Sequence, residues 1–294
     1  MNDIIPDQQL LDWNRQGLVP GPHEDVQQLS LRANYCLHLK EHIRLDLQNF
    51  LPIAQEEIAP HEVLGPALHK IFQLYDSAPS WIPLFFSNFQ LAFWHGGSAW
   101  IFQQGEESPP SAFFQLRRQF KDSRTYLGIY QREEIMVHEF CHVGRMGFEE
   151  PKFEEIIAYQ CSASAWRRWL GPLVQSARES AFFVLLLFLI LVLDLATFFW
   201  RDASLFQMMQ WTKLLPLGLL GLALGRLWRR QRQFSHCLKT LQETVQDLSK
   251  ARAILYRLTD REILLFGRFT PSEIKAYAKD ELSLRWKLIK LAYF

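Results

Sequence analysis

Residues 133–147 read EEIMVHEFCHVGRMG, and this stretch contains the one sharp chemical signal in the chain. His138, Glu139 and His142 stand in it in the order His-Glu-x-x-His. Positions four apart lie on one face of a helix, so both imidazoles can bind one zinc ion (Zn2+) while the glutamate reaches the water that the metal activates. The flanking residues are mostly uncharged, as is typical of an active-site helix packed on a core. The pattern predicts Zn2+ as cofactor, both histidines as ligands and Glu139 as general base.

A zinc site that keeps one open position needs a third protein ligand. The next predicted helix, PKFEEIIAYQ at residues 151–160, offers Glu154 and Glu155. HEFCH followed by EEIIAY resembles the zincin metallopeptidases of the Glu-zincin type, in which a glutamate on a following helix, commonly in an E-x-x-A motif, completes the site. The resemblance implies a zincin-like fold, peptide or protein substrates, and Glu155 as third ligand with Ala158 three residues on. Glu154 is the second choice.

The spacing leaves another candidate for the third ligand. The gap between His142 and Glu155 is shorter than in the best-known zincins, so the two helices must turn tightly. Membrane members resembling the CAAX-processing and HtpX-like proteases place a helical hairpin between HExxH and the glutamate, which would nominate Glu273 in SEIKAY. We favour Glu155, and Thr270-Pro271-Ser272-Glu273 also reads as a capping box, an interpretation that conflicts with a ligand role for Glu273.

Zincin chemistry also needs a group that stabilises the oxyanion and a strand edge that holds the substrate backbone. Tyr159 is the candidate stabiliser nearest the predicted ligands, although packing beneath the zinc helix is the simpler and favoured role for it. The other candidates are Tyr126, Tyr130, His95 and Arg145. The predicted strands at residues 112–120 and 124–131 are the candidate substrate edges.

Two further patterns favour simpler interpretations than metal binding. Residues 38–42 read H-x-x-E-H, the inverted zincin order, but they lie among charges typical of a solvated helix surface. Cys141 lies about 100° around the helix from His142, which favours core packing over a ligand or nucleophile role. The four cysteines are far apart with no CxxC pair, which argues against a disulfide framework and favours a reducing compartment.

Bulk composition is that of a folded chain, with 49% hydrophobic and 21% charged residues among 294. Its 32 Lys+Arg against 31 Asp+Glu argue against a nucleic-acid partner, which would require a basic surplus. The apolar residues are concentrated at 181–200, where Asp194 is the one charge, and this run covers about 30 Å as a helix, the thickness of a bilayer core. A shorter apolar run follows at 214–228. The alternative is a soluble protein in which both helices form a buried hairpin.

Two spans would place both flanking parts of the chain on one side of the membrane. Basic residues close to the outer ends of the two runs are Arg167, Arg168, Arg178, Arg226, Arg229, Arg230 and Arg232. The intervening loop offers Arg201 and Lys213. This asymmetry predicts an integral membrane protein with cytoplasmic N- and C-terminal parts, which agrees with the absence of a signal-peptide pattern in the opening segment. Asp194 is expected to pair with Lys213 or Arg201.

Around these features the chain divides into three predicted parts. Residues 1–178 are the zincin-like catalytic domain of an α+β fold, with a small antiparallel sheet. This sheet includes a predicted hairpin in which strands at residues 89–94 (FQLAFW) and 98–104 (SAWIFQQ) flank a Gly96-Gly97 turn. Residues 179–230 are a transmembrane helical hairpin, with spans at about 181–200 and 208–228. Residues 231–294 are helical. The stripe expected to pack within the chain, or alternatively to mediate self-association, consists of Leu238, Leu241, Val245, Leu248, Leu255 and Leu258 on a helix from Arg229 toward Leu258.

Together these features predict a zinc metallopeptidase that is anchored to a lipid bilayer and faces the cytoplasm. A different class of function is also open, namely a non-enzymatic membrane-anchored scaffold with a structural or vestigial zinc site. The substrate is not encoded in any pattern that we recognise.

Overall fold

The computed structural model describes residues 5–41, 58–103, 108–174, 177–200, 207 and 209–294. These residues are mostly helical and include a small sheet, so the helical and sheet content of the predicted fold class is present. The helices are α1 (Asp7–Arg15), α2 (Val26–Leu37), α3 (His61–Tyr75), α4 (Arg132–Gly144), α5 (Pro151–Tyr159), α6 (Ala165–Leu170), α7 (Ala177–Trp200), α8 (Leu214–Val245), α9 (Leu248–Tyr256), α10 (Asp260–Phe266), α11 (Pro271–Asp280) and α12 (Leu284–Tyr293). The strands are β1 (Leu84–Phe86), β2 (Gly97–Phe102), β3 (Ser111–Leu116), β4 (Thr125–Tyr126) and β5 (Tyr130–Gln131).

β3 is the central strand of a three-stranded sheet with the order β1-β3-β2. β2 runs antiparallel to β3, but β1 runs parallel to it, so the sheet is mixed where an antiparallel one was predicted. All residues of β3 are buried, because it has a neighbour on each side, whereas β2 is half-buried at the edge. β4 and β5 form a separate short hairpin, with Gly128 in the left-handed region at a φ of 69°.

The segment FQLAFW at residues 89–94 does not form the strand predicted before the Gly-Gly turn. Side chains of β3 and the residue after it bind its backbone instead. The Gln115 amide donates to the Phe89 carbonyl at 2.9 Å, and the Arg117 guanidinium donates to the Leu91 carbonyl at 3.3 Å and to that of His95 at 2.8 Å. Since these carbonyls already have partners, the segment remains irregular, and β2 pairs with β3.

Residues from the C-terminal part of the chain fix the end of α4 and the beginning of α5. Gly144 lies so close to Tyr256 that a Cβ atom there would be 2.2 Å from the tyrosine hydroxyl. The Asp260 carboxylate accepts hydrogen bonds from the backbone N–H of Lys152 at 2.8 Å and of Phe153 at 3.1 Å. A carboxylate at a helix N-terminus satisfies otherwise unpaired N–H groups and complements the helix dipole.

One hydrophobic core contains side chains from both sides of α7 along the sequence. The rings of Tyr75 and Tyr256 stack with their centroids 4.5 Å apart. The buried Arg257 guanidinium donates to the side-chain oxygen of Asn14 and to the Tyr75 carbonyl, both at 2.8 Å. The C-terminal helices therefore pack directly on the part of the chain that precedes α7.

α7 is the one described helix whose length and composition suit a membrane span, over Glu179–Thr197. Only 11% of its most apolar window is buried, so α7 does not pack in the core of this chain, where the buried-hairpin alternative would place it. One helix of this kind is a weak sign of membrane association. The second apolar run forms the first half of α8, where the uncharged stretch is ended by Arg226, and no second described helix meets the same criteria.

Two ion pairs show that α7 and the first half of α8 lie side by side and antiparallel. Arg226 Nη1 lies 2.7 Å from Glu179 Oε1, and Lys213 Nζ lies 3.0 Å from Asp194 Oδ2. The predicted pairing of Asp194 with Lys213 is confirmed, whereas the other predicted partner, Arg201, lies outside the described residues.

The long helix predicted over residues 229–258 is interrupted after Val245. Gln246 adopts a left-handed conformation with a φ of 54°, and the Asp247 carboxylate then accepts from the Lys250 N–H at 3.0 Å to begin α9. The stripe residues that are fully buried in the shared core are Leu241, Leu255 and Leu258. Leu238 and Val245 pack against this core and Leu248 is exposed, so most of the stripe packs within the chain, as expected, and self-association stays a prediction.

Candidate metal centre

His138 and His142 lie one turn apart on α4, and Glu155 faces them from α5. The two Nε2 atoms are 3.2 Å apart. Glu155 Oε2 lies 3.6 Å from His138 Nε2, and its Oε1 lies 3.6 Å from His142 Nε2. Within the described ranges, this is the one group of His, Cys, Asp or Glu side chains that are close enough to share a metal ion. The fold thus brings together the three residues that were predicted as ligands.

The three spacings fit a zinc ion. Zn–N and Zn–O bonds of about 2.0–2.1 Å place two ligands of a tetrahedral site ~3.4 Å apart. The two histidine nitrogens are 3.2 Å apart, and each has one of the two Glu155 oxygens at 3.6 Å, so the group is close to this spacing. Two imidazoles and one carboxylate are a donor set of catalytic zinc sites, in which the fourth position is left for water or substrate.

Glu154, the second-choice ligand, contacts the opposite nitrogen of a histidine ligand. Its Oε1 lies 3.1 Å from His142 Nδ1, and its Oε2 accepts from Arg145 Nε at 2.6 Å. A carboxylate on the second ring nitrogen fixes the orientation and tautomer of a histidine and leaves Nε2 for the metal. Neighbouring residues of a helix point about 100° apart, so Glu154 supports the site while Glu155 faces its centre.

Arg145 connects this pair of helices to the C-terminal part of the chain. Its side chain is fully buried, and its guanidinium donates to the carbonyls of Tyr256 and, at 3.3 Å, Leu258. The Tyr256 hydroxyl donates in turn to the Cys141 carbonyl of α4 at 2.9 Å. Together with the Asp260 cap of α5, these contacts mean that residues 256–260 hold both ligand helices. We call residues 256–260 the clamp segment.

Glu139 lies between the histidine ligands in sequence and contacts the sheet. Its Oε2 accepts a hydrogen bond from the Ala99 N–H of β2 at 3.0 Å. Burial raises the pKa of Glu139 above its ordinary value, and the charge of His142 and the Ala99 hydrogen bond oppose this shift. A raised pKa brings a carboxylate closer to the pH at which it can both accept and return a proton.

The two histidines have different pKa values without a metal ion. Burial, together with the charge of His142, lowers the pKa of His138 to about 3. Burial also lowers that of His142, but the hydrogen bond and charge of Glu154 outweigh burial and raise the pKa to about 9. At pH 7 His138 is therefore neutral, whereas His142 is protonated on both ring nitrogens. The Nε2 proton must leave before that nitrogen can bind a metal ion.

An open cleft of about 760 Å³ separates the edge of the sheet from the ligand helices. Ala99 and Ile101 of β2 line one side, and the three ligands line the other. Residues 112–120 were a predicted substrate edge. They contain β3, which is the central strand and pairs with a neighbour on each side, so it has no free edge for a substrate. The sheet edge at the site is β2, which pairs with β3 on one side and has no strand on its other side among the described residues.

Tyr159 lies beside the metal ligands, as its candidate role requires. Its ring meets that of His138 edge-on, with centroids 4.6 Å apart, and burial raises the pKa of its hydroxyl to about 12, so it stays a hydrogen-bond donor. Tyr126 donates instead to the Phe93 carbonyl at 2.7 Å. Of the other candidates, Tyr130 stacks on Tyr126, His95 lies against Trp94, and Arg145 binds Glu154.

Three competing assignments receive no support from the geometry. Glu273 is exposed and accepts hydrogen bonds from the Thr270 N–H at 2.7 Å and hydroxyl at 2.8 Å, so it caps α11, as the capping-box interpretation predicts, and is absent from the metal group. Cys141 is buried, and burial raises the pKa of its thiol well above the ordinary value, which disfavours a thiolate ligand. His38 is exposed at the end of α2, and His42 lies outside the described residues.

Two residues that build the site carry no local sequence signal. Asp260 follows Thr259, whose capping box with Glu262 begins α10, so by sequence it reads as an ordinary first-turn acid. Its contact with Phe153 joins positions 107 residues apart. Ala99 acts through its backbone N–H, which no side-chain pattern can reveal.

No family model matches this chain, and no curated protein or solved structure matches it either. The resemblance to the Glu-zincins therefore has its basis in residues 138–159, and the functional argument depends on the geometry of the site.

Proposed function

We propose that this protein is a zinc metallopeptidase anchored to a membrane, with His138, His142 and Glu155 as ligands and Glu139 as general base. The observation that carries the proposal is the group formed by His138, His142 and Glu155, whose ligand atoms lie within 4.8 Å of one another, with the Glu139 carboxylate adjacent to them and open to the same cleft. This arrangement supports hydrolysis over a purely structural role, because the described metal group contains three protein ligands and a closed structural zinc site needs four.

Zinc supplies a Lewis acid that lowers the pKa of a water molecule to near 7 and polarises a carbonyl group. Glu139 accepts the proton of the attacking water and passes it to the leaving amine, and its raised pKa suits both transfers. The Ala99 N–H holds one carboxylate oxygen of Glu139, and the remaining lone pairs are available for the proton. Glu154 keeps His142 oriented, and Tyr159 is the nearby donor for the oxyanion.

The edge of β2 supports an extended peptide as substrate. The Gly96 carbonyl accepts from the Arg117 N–H, and hydrogen-bonded pairs alternate along an antiparallel ladder. Gly97, Ala99 and Ile101 therefore direct their backbone groups away from β3, as the hydrogen bond of the Ala99 N–H to Glu139 also requires. Glu139 already takes the Ala99 N–H, so an extended chain would add to this edge through the remaining backbone groups of Gly97, Ala99 and Ile101 and pass close to the ligands.

The shared core supports two membrane crossings. α7 is long and apolar enough to cross, and residues on both sides of it pack in one core. A chain that crosses once must cross back before its two flanks can pack together, and the antiparallel first half of α8 is the segment available for the return. Its exposed leucines are Leu214, Leu215, Leu217, Leu220 and Leu222. The arginines at the outer ends of both helices favour a cytoplasmic site, N-terminal part and C-terminal part.

The test of the catalytic assignment is Glu139→Gln in the purified full-length protein. We expect one equivalent of bound zinc in both proteins and a 10²–10⁴-fold lower rate of peptide cleavage in the variant, the range typical of a lost general base. Glu149→Gln, an exposed glutamate on the rim of the same cleft, is the matched control and should retain the rate. Equal cleavage by the Glu139 variant and the parent would refute the mechanism.

The non-enzymatic scaffold makes a distinct prediction. It requires four protein ligands and no exchangeable position, which X-ray absorption of the zinc-loaded protein would detect as a closed first coordination sphere. Glu154 is the nearest further carboxylate, and its contacts with His142 Nδ1 and Arg145 argue against its being that fourth ligand.

A further inference from the structure

A groove of about 250 Å³ lies where the apolar half of α8 gives way to its charged half. Its basic lining comes from two elements, α8 and the residues that follow α10. The side chains that matter for its chemistry are Trp228, Arg229, Arg232, His236 and Arg268. No aspartate or glutamate from the described part of the chain lines the groove.

The three arginines of the groove, unlike Arg226 and Arg145, have no ion pair with a carboxylate among the described residues. Arg226, one turn away on α8, is paired with Glu179, and Arg145 is paired with Glu154. Among the described residues, no ion pair joins Arg229, Arg232 or Arg268 to a carboxylate, and all three are exposed. Three neighbouring positive charges without a counter-charge create a local potential that attracts an anion.

The fold holds these charges together. Gly267 ends α10 so close to α8 that a Cβ atom there would lie 3.3 Å from the Gln233 carbonyl, and this approach brings Arg268 to the α8 arginines. The Arg232 guanidinium lies 4.7 Å from the centre of the Trp228 ring, a cation–π contact that fixes one wall. Trp228 itself is 52% exposed.

The position of the groove identifies the anion. Leu222 is the last exposed leucine of α8. It precedes Trp228 on the same helix by about 9 Å, at a rise of ~1.5 Å per residue. Exposed tryptophan and arginine directly beyond an apolar segment are typical of the headgroup level of a bilayer. We propose that Arg229, Arg232 and Arg268 form a binding site for the phosphate of an anionic phospholipid, an inference that depends on the proposed insertion of α7 and α8 in a membrane.

The experiment measures binding of fluorescently labelled phosphatidylglycerol to the detergent-solubilised full-length protein by anisotropy. We expect unlabelled phosphatidylglycerol to compete at least tenfold better than phosphatidylcholine or inorganic phosphate. The triple variant R229Q/R232Q/R268Q should weaken binding at least tenfold. The control K250Q/K275Q/K279Q, which removes the same charge from exposed positions on α9 and α11, should bind within twofold of the parent.

Equal binding by the R229Q/R232Q/R268Q variant and the parent would overturn the site, and so would equal competition by inorganic phosphate or phosphatidylcholine. Arg268→Gln alone tests the same site without changing α8 and should weaken binding measurably. Insertion is measured separately, by flotation with vesicles of pure phosphatidylcholine. Failure to float would count against the membrane anchor. Normal flotation, combined with no preference for phosphatidylglycerol in the competition experiment, would count against the groove alone.

Discussion

The ligand helices and the apolar helices of this protein are held by different means. α4 and α5 are fixed through buried polar contacts with the clamp segment, residues 256–260, more than 100 residues further along the chain. α7 and the first half of α8 are joined by two ion pairs and expose most of their large apolar side chains. The difference shows where geometry is specified: ligand atoms must lie within tenths of an ångström, whereas an apolar helix needs an apolar surrounding and little more.

Loss of the third ligand should have the largest effect on the site. Glu155→Ala removes one of the three proposed ligands, and we expect zinc affinity to fall roughly a thousandfold, since zinc binding worth about 10–16 kcal/mol is shared among few ligands. Chelator competition measures the change. Glu273→Ala is the control and should bind zinc like the parent, because Glu273 is committed to the α11 cap. The reverse order of the two variants would move the third ligand to Glu273.

Zinc affinity should depend on pH through a single histidine. The pKa of His142 is raised to about 9 without metal, and a protonated imidazole cannot be a ligand, so affinity weakens as pH falls below 9. We expect about a hundredfold stronger binding at pH 8.5 than at pH 6.5, and release of close to one proton at pH 7, measured by calorimetry in buffers of different ionisation enthalpy. His138, with a pKa of about 3, contributes none. Release of no proton would contradict the charged His142.

The clamp can be weakened without touching a ligand. Asp260→Asn keeps the size of the side chain but removes the charge that caps α5, and we expect a loss of ~1 kcal/mol in the free energy of unfolding and several-fold weaker zinc binding. Asp247→Asn is the matched control, because Asp247 caps α9 and touches no ligand helix. It should lower stability similarly and leave zinc affinity unchanged. Equal zinc affinities in both variants would reduce Asp260 to an ordinary cap.

The smallest effect is expected in the apolar helices. D194N/K213Q removes the ion pair between α7 and α8, whose partly exposed members contribute at most about 1 kcal/mol in water. Zinc affinity and cleavage rate should stay within twofold of the parent, since neither residue approaches the metal site. A large loss of zinc binding in this variant would show that the hairpin and the site are coupled.

The sequence predicted those features of the site and of the helices that depend on residues close together in the chain. The spacing of His138 and His142, the cap at Thr270 and the pairing of Asp194 with Lys213 follow from helix periodicity and from the cost of an unpaired charge. The choice of Glu155 over Glu154 as the residue facing both histidines also agrees with the geometry, although only the structure shows what Glu154 does.

Long-range contacts account for what the sequence could not reveal. The strand expected at residues 89–94 is lost because Gln115 and Arg117 bind its carbonyls, an interaction between segments that no propensity describes. The predicted helix over residues 229–258 contains a break at Gln246, a residue that seldom adopts a left-handed conformation. The Asp260 cap depends on the whole fold between it and α5.

The clamp segment also sets an order of events during synthesis. His142 leaves the ribosome 118 residues before Asp260, which at about 5–20 residues per second is roughly 6–24 s earlier. On the proposed topology, both apolar helices are made and inserted within that interval. The nascent chain therefore carries all the proposed zinc ligands before it can hold them in place, and the proposed peptidase activity would begin only after the hairpin has returned the chain to the side on which translation started.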